Sequence, residues 1–237
     1  LSSRRQRQMC IRDSYITKNR VMFINGLAEN HGTPVLIADW FQSTLLMFGD
    51  KMDYKILLTG HTSPMGKELY AHLSKEYEVI GISRESGYDL TKQEDVEKVV
   101  DMALDADLFI NLAHVGSTQS QLLIMINNKW NKESRLGLVI SFGSLATKLD
   151  NDILRAVNID RQYLADKHKL DAVNNSLANQ KPFGEQCQFT LVRVLNYGEK
   201  TGSREGEPTC NADDIIRTVD YIINEPMYVG VLDIRRF

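Results

Sequence analysis

Tyr163 and Lys167 stand four positions apart in the run Tyr163-Leu164-Ala165-Asp166-Lys167-His168-Lys169-Leu170-Asp171-Ala172. The apolar residues Leu164, Leu170, Val173 and Leu177 recur there at helical spacing, so a phenol and an ammonium project from one helix face, a turn apart. A cation beside a phenol favours the deprotonated phenol, and such a pair can exchange a proton near neutral pH. A solvated helix face gives the same Tyr-x-x-x-Lys spacing by chance. What lies upstream decides whether the pair does chemistry.

Upstream is the stretch Lys55-Ile56-Leu57-Leu58-Thr59-Gly60-His61-Thr62-Ser63-Pro64-Met65-Gly66-Lys67-Glu68-Leu69. An apolar strand ends in Thr59-Gly60, and Gly66 opens a helix that continues with Leu69, Tyr70 and Leu73. Such a turn brings backbone N–H groups at a helix N-terminus up to a pyrophosphate, where the helix dipole favours negative charge. Thr59, Gly60, Thr62, Ser63, Met65 and Gly66 are the expected contacts. An ordinary strand–loop–helix with two turn glycines is the alternative reading. The next strand, Tyr77 to Arg84, ends in Ser83-Arg84, with no acid until Glu85. At that place a carboxylate suits a free ribose 2′-hydroxyl, and an arginine suits a 2′-phosphate. Ser83 and Arg84 therefore point to NADP(H) rather than NAD(H).

Further elements follow in alternation. Asp89-Leu90-Thr91 precedes a charged helix from Gln93 to Leu104. A strand runs from Asp107 to His114, and another from Leu136 to Phe142 leads into Gly143-Ser144-Leu145-Ala146. Strands alternating with helices from residue 54 onward predict an α/β fold: a doubly wound, Rossmann-like parallel sheet in three layers, with helices on both faces.

With these residues in place, the chain resembles the short-chain dehydrogenase/reductase family over about residues 54–237. Thr59-Gly60 through Gly66 is similar to that family's T-G-x-x-x-G-x-G, Asp89-Leu90 to its Asp-hydrophobic pair, and Asn111-Leu112-Ala113-His114 to its N-N-A-G. Ser144-Leu145-Ala146 falls where the family's catalytic serine is found. Tyr163 to Ala178 is similar to its active-site helix. Asp213 to Ile216, Glu225-Pro226 and Gly230 to Ile234 resemble its last helix and strand.

The resemblance implies a hydride transfer between nicotinamide and a small carbonyl or alcohol. Tyr163 would be the general acid in reduction. Lys167 would assist it and bond the nicotinamide ribose, and Ser144 would hydrogen-bond the substrate oxygen, with Ser141 as the rival serine. Asp89 would hold the adenine, with Leu90, Asn111 and Ala113 completing the cofactor contacts. The same resemblance implies a homodimer or homotetramer.

The chain departs from the family pattern in three places. Pro64 stands where the middle glycine is expected. Asn111 to Ser144 spans 33 positions, a short interval in which the family's fourth-helix asparagine has no aligned counterpart; Asn127 and Asn128 lie there without matching it. Ser144 to Tyr163 spans 19, a long one, and Leu149 to Ile159 is expected to add a helical turn beside the site.

The 237 residues are 43% apolar with a net charge of −3, which gives no basic field for nucleic acid. No apolar run approaches the roughly 20 residues that a membrane span needs. Cys10, Cys187 and Cys210 have no metal-ligand spacing, so no metal is expected and reduced thiols in a cytoplasmic protein are the simplest reading. His61 and His114 read as loop or packing residues. Residues 1–14, with four arginines against one aspartate, read as a non-native or disordered leader, residues 15–52 as an N-terminal extension, and residues 53–237 as a single dinucleotide-binding and catalytic domain. The functional expectation is an NADP(H)-dependent oxidoreductase. A non-catalytic NADP-binding regulatory or scaffolding protein is the second reading. A nucleotide-sugar epimerase or dehydratase is third, because only 36 residues follow Thr201, leaving a small substrate lid from Thr201 to Asn211.

Overall fold

A computed structural model describes residues 54–156, 159–179, 187–198, 209–224 and 229–235. The leader and extension (1–52), most of the lid (201–208) and the Glu225-Pro226 motif lie outside these residues. The chain separates into units at 1–50 and 51–237, and every described residue belongs to the second.

The near-continuous apolar run Lys55–Thr59 forms β1, buried on both sides as an inner parallel strand must be. After it come α1 (Pro64–Leu73), β2 (Glu78–Ile82), α2 (Gln93–Met102), β3 (Leu108–Asn111), α3 (Thr118–Lys132), β4 (Leu138–Ser144) and a 3₁₀ turn (Leu145–Lys148). The chain continues through α4 (Asn151–Ala156), α5 (Arg161–Ala178), β5 (Gln188–Val194), α6 (Ala212–Asn224) and β6 (Val231–Ile234). The six strands pair in the order β2-β1-β3-β4-β5-β6, every pair parallel.

Side-chain alternation along the strands builds two cores. Ile56, Leu58, Leu108, Ile110, Ile140 and Phe142 face α1 and α6. Their neighbours Leu57, Phe109 and Val139 face α2, α3 and α5. Helices thus cover both faces, and the three-layer α/β/α expectation holds. The strand order reverses between β1 and β3, which opens a crevice at their C-terminal ends, the usual ligand position in such sheets.

Several boundaries differ from the sequence reading. The strand expected from Asp107 to His114 stops at Asn111, because Leu112 and Ala113 turn their N–H groups onto the Thr59 hydroxyl instead of a neighbouring strand. The strand expected to end at Phe142 continues through Ser144, paired with β5 up to Val194. Helix α1 opens at Pro64 rather than Gly66. Proline suits that first position, where its missing N–H would have had no intrahelical partner. The added helical turn between Ser144 and Tyr163 is present as α4. Among the described residues, no helix is long and apolar enough to cross a membrane, and no cluster of His, Cys, Asp or Glu could hold a metal ion.

Candidate active site

The turn between β1 and α1 is built on two glycines that cannot carry a side chain. Gly60 has φ +76°, and a Cβ there would lie 3.1 Å from the Ala113 backbone. A Cβ on Gly66 would sit 2.1 Å from the Gly60 carbonyl oxygen. The Ser63 hydroxyl caps α1 by accepting from Gly66 N–H at 3.1 Å. The Thr59 side chain is fully buried and latches the strand ends together: it donates to Ile110 O (3.3 Å) and accepts from Leu112 and Ala113 N–H. These contacts fix the floor of the crevice.

At the end of β2 the chain folds back on itself. Ser86 Oγ donates to a backbone carbonyl, with Gly81 O and Ser83 O both 3.0 Å away, and accepts from Ser83 N–H. This leaves Arg84 exposed at the rim. The Asp89 carboxylate accepts from Thr91 N–H and hydroxyl, which hold it below the usual carboxylate range with a smaller contribution from the Arg84 charge. Leu90 is buried, its carbonyl accepting from Thr118. The His61 ring lies over Gly81, where a Cβ would come within 2.5 Å of it, so this histidine packs as the sequence suggested.

Ser144, Tyr163 and Lys167 line one open cavity of about 400 Å³ at the C-terminal ends of the strands. Each is positioned by its own element. Ser144 ends β4 and caps the 3₁₀ turn, its Oγ accepting from Ala146 N–H at 3.2 Å. The rival Ser141 lies inside β4, fully buried and away from the cavity lining. Asp160 caps α5 by accepting from Tyr163 N–H at 2.8 Å, which anchors the helix at the tyrosine itself. Lys167 is 4% exposed, with Nζ 5.7 Å from the centre of the Tyr163 ring. Burial pushes its ammonium down to about 8, while Asp171 and Asp166 act in the opposite direction.

Gln119, at the start of α3, holds this lysine and went unrecognised in the sequence. Lys167 Nζ donates to Gln119 Oε1 (2.7 Å) and to Phe142 O (2.9 Å). The orientation of the Gln119 amide is fixed in turn, because its Nε2 donates to Asn111 O and lies 3.4 Å from Phe142 O. Asn111, fully buried, donates back from Nδ2 to Gln119 O. Asn127 is buried on the inner side of α3, and its Oδ1 accepts from Asn131.

The remaining wall of the cavity is largely apolar: Met65, Leu112, Phe142, Ala146, Ile159 and Val194, with Asn196 and Tyr197 beyond. His114 also lines it, its ring edge-on to Tyr163 at 5.0 Å between centres and its Nε2 3.6 Å from the Asp166 carboxylate. Burial, then the Lys167 charge, lower the His114 pKa, against the pull of Asp166. A neutral imidazole therefore predominates at neutral pH.

The six-stranded parallel sheet with helices on both faces has counterparts among solved structures. A short-chain dehydrogenase from Leptospira borgpetersenii, solved with NAD+, superposes at a TM-score of 0.62 with 16% identity, covering 87% of this chain and 97% of the other. The chain has the short-chain dehydrogenase/reductase fold. Acetoin dehydrogenase from Enterobacter cloacae matches at 0.60 with 14% identity over 77% of this chain and 95% of that enzyme. A short-chain dehydrogenase from Burkholderia cenocepacia in complex with NADP matches at 0.59 with 15% identity over 78% and 97%. No family model and no curated protein matches the sequence.

Proposed function

We propose that this protein is an NADP(H)-dependent oxidoreductase that interconverts a small carbonyl compound and its alcohol. The observation that carries this reading is the convergence of Ser144, Tyr163 and Lys167 on one cavity beside the strand-order reversal. A dinucleotide fits the crevice. The Gly60–Gly66 crossing packs the turn backbone too tightly for a Cβ, and the ends of β1 and β3 frame the position where such sheets bind nucleotides. The cofactor supplies the hydride and the protein supplies everything else.

Ser144 and Tyr163 would hold the substrate oxygen, with Tyr163 passing a proton to it as charge develops. Two acceptors aim Lys167 Nζ before anything binds, so its third proton remains for a ligand hydroxyl in the cavity. Gln119 serves as the support of that lysine. The apolar wall and the neutral His114 suit an uncharged, compact substrate. Arg84, exposed at the rim, offers a guanidinium to a 2′-phosphate.

Tyr163→Phe tests the chemical assignment. With NADPH and a panel of aldehydes and ketones, its kcat should fall at least 100-fold on whichever substrate the wild type reduces, while NADPH affinity stays within about threefold. A Phe variant that keeps most of its kcat refutes the role of Tyr163. A wild type that binds NADPH and turns over nothing on the panel favours the non-catalytic reading.

A further inference from the structure

Beside the cavity-lining Gly143 and Ser144 lies a buried ionic hub. Asp171 follows Lys167 by one turn of α5 and is 6% exposed. Its Oδ2 accepts from Arg193 Nε on β5 at 2.9 Å, and Arg193 itself is 5% exposed. The Thr147 hydroxyl lies 2.9 Å from the same Oδ2 and 2.9 Å from Ser144 O, so its one proton is shared between the helix and the serine's own carbonyl. Lys148 Nζ approaches Oδ2 at 3.9 Å. Arg193 extends the hub to β6 by donating from a terminal nitrogen to Asp233 at 3.1 Å. Space for it depends on Gly143, where a Cβ would crowd Leu191, Arg193 and Asp171 at 3.1–3.4 Å.

One carboxylate oxygen on α5 thus touches both the 3₁₀ turn that follows Ser144 and strand β5, the elements whose placement against this helix decides the geometry of the site. We propose that Asp171 is a positioning residue that locks the Ser144 turn and strand β5 to the helix bearing Tyr163 and Lys167. A buried acid–base pair alone is weak evidence of stabilisation, since desolvating both charges costs about as much as their attraction returns. Its value here is registry. Ser144 and Tyr163 come from segments joined through α4, and Asp171 ties those segments directly.

The charge on Lys167 answers to every element around it. Asp166 and Asp171 face it from α5 and raise its pKa against burial. His114, on the segment after β3, is neutral, Gln119 on α3 is uncharged, and β4 contributes only the Phe142 carbonyl. Lys148 and Arg193 meet Asp171, and Asp233 meets Arg193. Removing the Asp171 charge should therefore lower the lysine further.

The inference rests on the reading of Ser144, Tyr163 and Lys167 as the reacting groups, but its test needs no turnover. Full-length protein labelled with ¹³C-lysine reports the Lys167 Cε titration, assigned with Lys167→Met. Asp171→Asn should move the midpoint down by about one pH unit or more, the scale expected for a charge one helical turn away in a partly shielded interior. Asp171→Asn/Arg193→Gln, which leaves no guanidinium unpaired in the core and only the exposed Asp233 without its partner, should also move the midpoint down, by less because a cation is removed with the anion. Thr147→Val should leave the midpoint in place and raise amide exchange across Ser144–Lys148 roughly tenfold. An unmoved midpoint in the folded double variant, or unchanged exchange in Thr147→Val, overturns the proposal. Loss of the catalytic reading itself would show in Tyr163→Phe kinetics and leave both of these readouts untouched.

Discussion

Lys167 should make the protein more stable as the solution becomes more alkaline, and replacing it with methionine should remove that gain. Its ammonium lies at about 8 in the folded protein, against 10.5 for the free side chain, with burial as the largest cause. Between those two values the unfolded chain binds more protons at this site than the folded one, so stability rises with pH. Below about 8 the lysine is charged in both states, and the folded protein carries the whole cost of burying the charge. Above 10.5 it is neutral in both and the cost is gone. The gap of about 2.5 units corresponds to about 3 kcal/mol, of which about 2.5 kcal/mol is recovered by pH 10. Methionine fills a similar volume and leaves the Gln119 and Phe142 oxygens without their donor, which lowers stability by an amount independent of pH in this range. The measurement is urea unfolding of wild type and Lys167→Met at pH 7, 8, 9 and 10. Titrating groups that do not feel Lys167 cancel in the difference between the two proteins, and His114, which does, titrates below this pH range. That difference should grow by about 2.5 kcal/mol from pH 7 to pH 10 in favour of the wild type. A change below about 1 kcal/mol would show that the buried lysine is not held as a depressed ammonium.

Two further outcomes are expected. Gly66→Ala places a methyl 2.1 Å from the Gly60 carbonyl oxygen, so the turn must move. Overpacking of that kind costs about 3 kcal/mol, which thermal melting should read as a drop of roughly 6–12 °C, together with weakened NADPH binding. An unchanged melting temperature would mean that the crossing is not tight. Arg84→Ala should weaken NADPH binding roughly tenfold to a hundredfold and leave NADH binding nearly as it was, since only NADPH carries a 2′-phosphate. A ratio of the two dissociation constants that does not move would remove the preference for NADP(H).

The inner strands β1, β3 and β4 were legible because they are largely buried and announce themselves as short apolar runs: Ile56 to Leu58, Leu108 to Ile110 and Leu138 to Ile140. Strand β5, whose run is broken by Thr190, was not singled out. Strand ends were less legible, because a strand stops where its hydrogen bonds go elsewhere, and that depends on residues far away in sequence. Leu112 and Ala113 are as apolar as the strand before them. They leave the ladder because Thr59, more than fifty positions earlier, offers a hydroxyl at the same height. Pro64 looked like a departure from a glycine pattern, and in the folded chain it is simply the first residue of a helix.

The proposed reacting groups could be picked out because Tyr163 and Lys167 lie on one helix and their relation is local. Their supports could not, since each depends on the register between two helices or between a helix and a strand. Nothing in the sequence around Gln119 says that its amide reaches across 48 positions to Lys167. It does so because Asn111 and Phe142 turn their carbonyls toward it and leave its amide one favourable orientation. The same holds for Asp171, which looks like a surface acid of a polar helix until β5 places Arg193 beneath it. The pattern has a physical basis. Residues that do the chemistry must point into a shared space, and helix periodicity reveals which ones share a face. Residues that hold them in place point inward, between layers, where only the packed fold decides their neighbours. A sequence can therefore propose the acid and the cation of such a site while leaving silent the amide and the carboxylate packed behind them.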